Sequence, residues 1–328
     1  MTRTTLKDVA AAAGVGLSTA SYVLNATGLH KVSPETRERI RAAAQKLRYH
    51  PNVFARGLRN GKSSFIGVLV PAIDYSFMPE IIAGIDRTLS LHGYSMVLCT
   101  FTSDEELVGK LHVLLQKQVD GIVMKSWDSL PIATLHRMVG DRLPCALVAM
   151  PETGGYPAAL VDPVSVGRLA ARRLLAANHR KVALCAVIKP SGETALRNEL
   201  AASGAPEPWK LDSRDPDILE TLFAGRDRFT AVVTSDPQAV RILQEAHKRR
   251  IPVPEAFSVL GIDGTEIGNF TMPRLTSINQ PRAAQGVAAA EILLEWLSSG
   301  RRPENRVLQP TISERESVAP PPGDAEPA

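Results

Sequence analysis

The chain has 328 residues, too many for one ordinary domain, so two or three globular units are expected. A content of 44% hydrophobic and 22% charged residues excludes a disordered or fibrous chain, and no stretch is apolar enough to span a membrane. Three scattered cysteines, Cys99, Cys145 and Cys185, and an opening segment without a signal-peptide pattern point to a reducing, cytoplasmic setting.

Charge is segregated along the chain. Residues 1–62 hold eleven Lys/Arg against three acids, a net +8, whereas the remainder is net −4. A small unit with that excess has what phosphate binding by counterion release requires; on charge alone, a merely solvated basic surface is the alternative.

Within this basic segment, Leu6, Val9, Ala10 and Ala13 recur at helical spacing behind the candidate caps Thr4 and Thr5, and Gly14 ends the run. A second short helix presents Ala20, Val23 and Leu24 to the first, a helix-turn-helix pair. Ser33 and Pro34 then start a third helix whose stripe is Ile40, Ala43, Ala44 and Leu47. Pro51 and Asn52 break it, and residues 52–59 have room for one more short helical turn. The expected division is a DNA-binding head over 1–49 and a hinge over 50–62.

From residue 65, apolar β-rich runs alternate with amphipathic segments: FIGVLV, SMVLC, GIVM, CALVA, VALCAVI, AVVTS and SVLGI. Such alternation predicts parallel sheets with crossover helices. Ile82, Ile85 and Leu89 share one helical face, and Ile292, Leu293, Trp296 and Leu297 another. The fold class expected is an all-α head plus a two-lobed α/β core over 63–318. The first lobe takes about 63–161 plus 281–318 and the second about 162–280. Residues 319–328, rich in proline, form a disordered tail. A ligand would bind beyond the carboxyl ends of the strands, between the lobes.

Enzyme signatures fail on their spacing. GLRNGKS at 57–63 has three residues between its glycines where a P-loop needs four, and it precedes a strand instead of following one. Seven scattered histidines have no HExxH or CxxC partner, and no GxSxG elbow occurs. No enzyme, metal or cofactor is expected.

The head reads TLKDVAAAAGVGLSTASYVLN from Thr5 to Asn25, followed in order by VSPETRERI, LRYHPNVFARGL, IGVLVP, Gly93-Tyr94, VDGIV, NHRKVAL, IPVPEAFSVLGID and LTSINQ. This series resembles the LacI/GalR family of bacterial repressors across positions 4 to 318. The resemblance implies a cytoplasmic homodimer that binds a near-palindromic double-stranded DNA operator, with a small-molecule effector, a sugar or sugar-like compound, altering DNA affinity. A solute-binding protein without a transcriptional role, or a core that has lost its effector, are the alternatives.

By that resemblance Leu17, Ser18 and Tyr22 are the base readers, and Thr5, Thr19, Ser21, Asn25, Ser33 and Thr36 are phosphate contacts. In the hinge, Leu58 is a minor-groove wedge beside Asn52, Ala55 and Arg56. Effector contacts fall on Asp74, Phe77, Met78, Trp127, Arg197, Asp236 and Asp263; the plainer reading puts Phe77 and Met78 in the core and makes Asp236 a helix cap. Departures are informative. Gly16 stands where the family has a capping Ser, and Tyr22 where it has Arg, so one half-site position is expected to differ from the family's. Ser235, Ile262-Asp263-Gly264 and Ala149 also depart from the family's cleft residues, and the 188–204 segment looks short.

Overall fold

A computed structural model describes residues 4–25, 29–49, 62–72, 78–125, 132–140, 142–149, 154–185, 188–212 and 215–321. The chain divides into two compact units, Met1–Ser63 and Ser64–Ala328.

The first unit packs helices Leu6–Ala12, Leu17–Leu24 and Pro34–Lys46. Local chemistry sets the starts of two of them. Thr5 and Asp8 form a reciprocal capping box, the Asp8 carboxylate accepting from the Thr5 N–H at 2.8 Å. Ser33 caps the third helix by accepting from the Thr36 N–H at 3.3 Å, with Pro34 in the first turn. The core consists of Val9, Ala10, Ala13, Ala20, Val23, Val32, Ile40 and Ala44. Half of these are alanines, so Ile40 carries a disproportionate share of the buried apolar area.

The second unit holds two six-stranded sheets among the described residues. In the first lobe, strands β1 (Phe65–Pro71), β2 (Ser95–Phe101), β3 (Gly121–Met124), β4 (Cys145–Val148), β5 (Ala158–Val161) and β11 (Arg306–Leu308) lie in the order β11-β5-β4-β3-β1-β2, every pairing parallel. Helices cover both faces, so residues 66–71 of β1 are all buried, as a two-sided parallel strand requires. The second lobe has β6 (Val182–Leu184), β7 (Trp209–Lys210), β8 (Ala231–Ser235), β9 (Ser258–Asp263), β10 (Ser277–Asn279) and β12 (Thr311–Ser313), ordered β12-β10-β9-β8-β6-β7.

Both lobes use one device to bring two helices close. In the first, Gly286 of helix Arg282–Ser299 meets helix Met78–Leu91, where an added Cβ would lie 2.1 Å from the Ile81 carbonyl oxygen. In the second, Gly167 of helix Pro163–Ala176 meets helix Pro190–Ala202, and its Cβ would lie 1.9 Å from the Gly192 oxygen.

Two expectations about the C-terminal segment are corrected. Residues 311–318 belong to the second lobe and not the first: β12 pairs antiparallel with β10, Ser277 opposite Ser313, and Val318 joins the second-lobe core. Two three-residue strands separated by two residues carry no readable period, and the open edge of β10 is what recruits the second. The tail is anchored at its start. The Ala319 carbonyl oxygen lies 2.7 Å from Nε2 of the buried His179 ring, and the Ala319 N–H donates to Ser258 Oγ at 3.1 Å.

Candidate functional site

On the head, the second helix begins at Gly16 without a side-chain cap and exposes Leu17, Ser18 and Tyr22. Ser18 and Tyr22 are four residues apart and share a face, with Leu17 beside them at the helix start; Leu17 is 52% and Tyr22 38% exposed. Thr19 and Ser21 are half-buried on its flanks. Asn25 turns its amide back on the helix, donating to Ser21 O at 2.9 Å and Ser21 Oγ at 3.1 Å, so its side chain terminates the helix. Thr5, Ser33 and Thr36 are likewise engaged in caps, Ser33 Oγ donating to Thr36 Oγ1 at 2.9 Å. Four of the six expected phosphate contacts, Thr5, Asn25, Ser33 and Thr36, are thus engaged at helix ends, whereas Thr19 and Ser21 lie within the helix that exposes the three expected readers.

Some of the head's basic side chains also have structural duties. Arg37 Nε donates to Val32 O at 2.8 Å and Arg39 Nε to Ala13 O at 2.9 Å. Lys31 instead lies over the Tyr22 ring, its Nζ 5.9 Å from the centroid, a contact that no local pattern in the sequence announces. Asn52, Ala55, Arg56 and Leu58 lie outside the described residues.

In the body, the carboxyl ends of β8 and β9 bring Asp236 and Asp263 together. Asp236 is fully buried: Oδ2 accepts from the Thr265 N–H at 2.6 Å and Thr265 Oγ1 at 2.8 Å, and Oδ1 from Ser277 Oγ at 2.6 Å. Burial pushes its carboxyl up to about 6, against the pull of the Ser277 and Thr265 hydrogen bonds. It is the first residue of helix Asp236–Lys248 and not its cap, which is Ser235. With both oxygens engaged and no exposed surface, Asp236 organises the turn after β9 and offers no face to a ligand.

That turn is strained in the service of Asp263, whose φ of 119° lies in the left-handed region that side chains avoid. Asp263 Oδ1 accepts from Arg282 Nη2 at 2.6 Å and Gln280 Nε2 at 2.9 Å. Burial pushes its carboxyl up and the Arg282 guanidinium opposes that rise. Arg282 opens the first-lobe helix Arg282–Ser299 and also donates to Gln285 Oε1 at 3.2 Å. The Arg282–Asp263 pair therefore ties the first lobe to the second. Beside it, Glu80 of the first lobe is pushed up by partial burial, with Arg282 lowering it and Glu266 of the second lobe raising it. Sequence reasoning missed Arg282 and Gln285; the available signal was a charged and a polar residue breaking the apolar stripe of a core helix.

Two expected effector contacts have partners within the protein. Met78 is 1% exposed and packs with Ile81, Ile85 and Val68 in the first-lobe core, as the plainer reading had it. Arg197 is spent in ion pairs with Glu193, at 2.8 Å, and with Glu207, while Lys210 reaches the same Glu193 at 2.8 Å. Lys210 of this cluster belongs to the edge strand β7. Asp74, Phe77 and Trp127 fall outside the described residues. Cys145 and Cys185 are buried, and desolvation pushes both thiols up to about 12, far from nucleophilic use. Among the described residues no helix is long and apolar enough to cross a membrane.

Large apolar side chains also stand exposed where sequence reasoning placed nothing. Phe270 is 79% and Met272 92% exposed, next to Ile267 on the second lobe; Leu91 and Leu98 are exposed on the first.

Comparison with known proteins covers the same two units. Residues 5–52 match bacterial regulatory proteins of the lacI family, residues 63–208 match periplasmic binding proteins and the sugar binding domain of the LacI family, and residues 171–318 match a periplasmic binding protein-like domain. The chain is 30% identical to the HTH-type transcriptional repressor PurR of Pectobacterium atrosepticum, spanning 96% of this chain and 97% of that one. It is 29% identical to the ribose operon repressor of Escherichia coli, spanning 96% and 99%. Among solved structures, the lac repressor dimer bound to operator and the anti-inducer ONPF superposes with a TM-score of 0.83 at 23% identity, covering 97% of this chain and all of the other. The complex of the transcriptional regulator CelR with cellobiose gives 0.69 at 26% identity, covering 96% and 100%.

Proposed function

Because the chain belongs to the LacI family of bacterial regulatory proteins, we propose that it is a cytoplasmic transcriptional repressor whose dimer binds a near-palindromic operator and responds to a small carbohydrate-like effector. The observation that carries this reading is the exposed Leu17–Ser18–Tyr22 face on a unit of net +8. Side chains at the start of a helix reach base edges while the surrounding charge draws the phosphates. The hinge over residues 50–62 completes the DNA contact, with Leu58 as its wedge.

The body supplies the response. Asp263, held by Arg282 across the lobes, is where a hydroxylated ligand alters an inter-lobe bond by competing for a carboxylate. The exposed Phe270 and Met272 side chains, together with Leu91 and Leu98, are apolar surface suited to a second copy of the chain. No catalytic step is part of this reading.

The test is selection of binding sites from random DNA, followed by titration of the recovered site with ribose, cellobiose and purines present in turn. The expected result is a pair of inverted half-sites and at least one compound that shifts affinity about fivefold or more. Failure to enrich any DNA sequence overturns the proposal. A second reading, a body without effector response, is favoured by the commitment of Arg197 and Asp236 to internal partners; operator binding indifferent to every compound would select it.

A further inference from the structure

The turn Leu29–Lys31 leads into Val32, whose side chain is buried in the head and whose carbonyl is held by Arg37 Nε at 2.8 Å. Lys31 is therefore an exposed cation on an anchored backbone, and its Nζ lies 5.9 Å from the centre of the Tyr22 ring. A cation over an aromatic face is drawn to the negative ring quadrupole, while the phenolic hydroxyl at the ring's edge is left to point elsewhere.

The geometry assigns Lys31 as a specificity-determining residue: we propose that Lys31 and Tyr22 read the same half-site position together, replacing with two side chains what a single arginine does. Tyrosine alone has one hydroxyl and an apolar face, which fits a thymine methyl but cannot make two bonds to guanine. The ammonium brings the missing positive donor to the same place, and guanine presents two acceptors, O6 and N7, on its major-groove edge. The ring in turn limits the rotamers of a flexible lysine, which lowers the entropy lost on docking. Guanine is thus the base expected opposite the pair, in place of the altered preference that Tyr22 by itself implies.

This inference rests on the DNA-binding reading, and the test separates the two. Full-length protein and the variants Lys31→Gln, Lys31→Arg, Tyr22→Phe and Tyr22→Ala are each put through site selection, and the recovered site and its single-base variants are titrated by fluorescence anisotropy. Lys31→Gln and Tyr22→Ala are expected to relax preference at one and the same position by about tenfold, the double variant being no worse there than either single one. Tyr22→Phe keeps the ring and is expected to retain the position's guanine preference, and Lys31→Arg to restore it. If Lys31→Gln weakens all sequences equally and lowers the salt dependence by about one phosphate contact, the lysine is a backbone contact and the inference is overturned while the DNA-binding reading stands. If the unaltered protein selects no DNA, both fall together.

Discussion

The head and the two-lobed body place their functional side chains in opposite ways. In the head, Leu17, Ser18 and Tyr22 project from a helix whose interior is made by other residues, so recognition and folding are separable. In the body, Asp236, Arg282 and Gln285 are buried, Asp263 is half-buried, and all four are hydrogen-bonded to one another or to the turn after β9, so the proposed site and the lobe contacts are the same set of bonds. The difference follows from the ligands. A duplex is reached from outside by exposed groups, whereas a small molecule enclosed between lobes is met by groups already desolvated, which bind well only if held in place.

This contrast is open to attack at several points. Gly286→Val in the body is expected to cost more than about 3 kcal/mol, because the atom met at 2.1 Å is backbone and cannot turn aside; calorimetry should show the body's transition falling sharply while the head's does not move. Ile40→Ala reverses the target, with a loss of about 2–5 kcal/mol in a unit whose core is half alanine. Operator affinity is expected to collapse with the body's melting unchanged, and a joint loss of both would show that the two units do not fold separately.

Asp236 gives a pH test. Its folded carboxyl is raised from 3.8 to about 6, so its contribution to stability is complete below 3.8 and is lost as pH rises through 6, a change on the order of 2–3 kcal/mol. Asp236→Asn removes that titration, and urea midpoints from pH 4 to pH 7 are expected to show the unaltered protein losing ground relative to the variant's pH trend. Parallel trends would mean that the carboxyl is not desolvated as described. The smallest effect on folding is expected from Phe270→Glu combined with Met272→Lys, since both side chains are mostly exposed; sedimentation should nonetheless show dimer dissociation strengthened by about tenfold or more.

Much of the head was legible because its signals are local. Thr5, a candidate cap, and Ser33 with Pro34 mark helix starts locally, and helical spacing picked out Val9, Ala20 and Ile40. The strand-helix rhythm of the body was legible for the same reason. The effector site was read less well. Resemblance nominated Asp263, which holds Arg282 across the lobes, together with Met78, which is core, and Arg197, which belongs to a half-buried ion cluster. Residue type and approximate position cannot say which way a side chain points once a neighbouring helix competes for it.

By itself, then, the amino-acid order determined the basic helical head, the alternating α/β body and the family to which both belong, since capping, periodicity and charge act over a few residues. The tertiary structure alone decided the rest. Arg282 finds Asp263, β12 finds the edge of β10 across more than thirty residues, and Lys31 comes to lie over Tyr22. Each of these depends on where separate segments are brought by packing, which is settled by the burial of the whole core and by no local pattern.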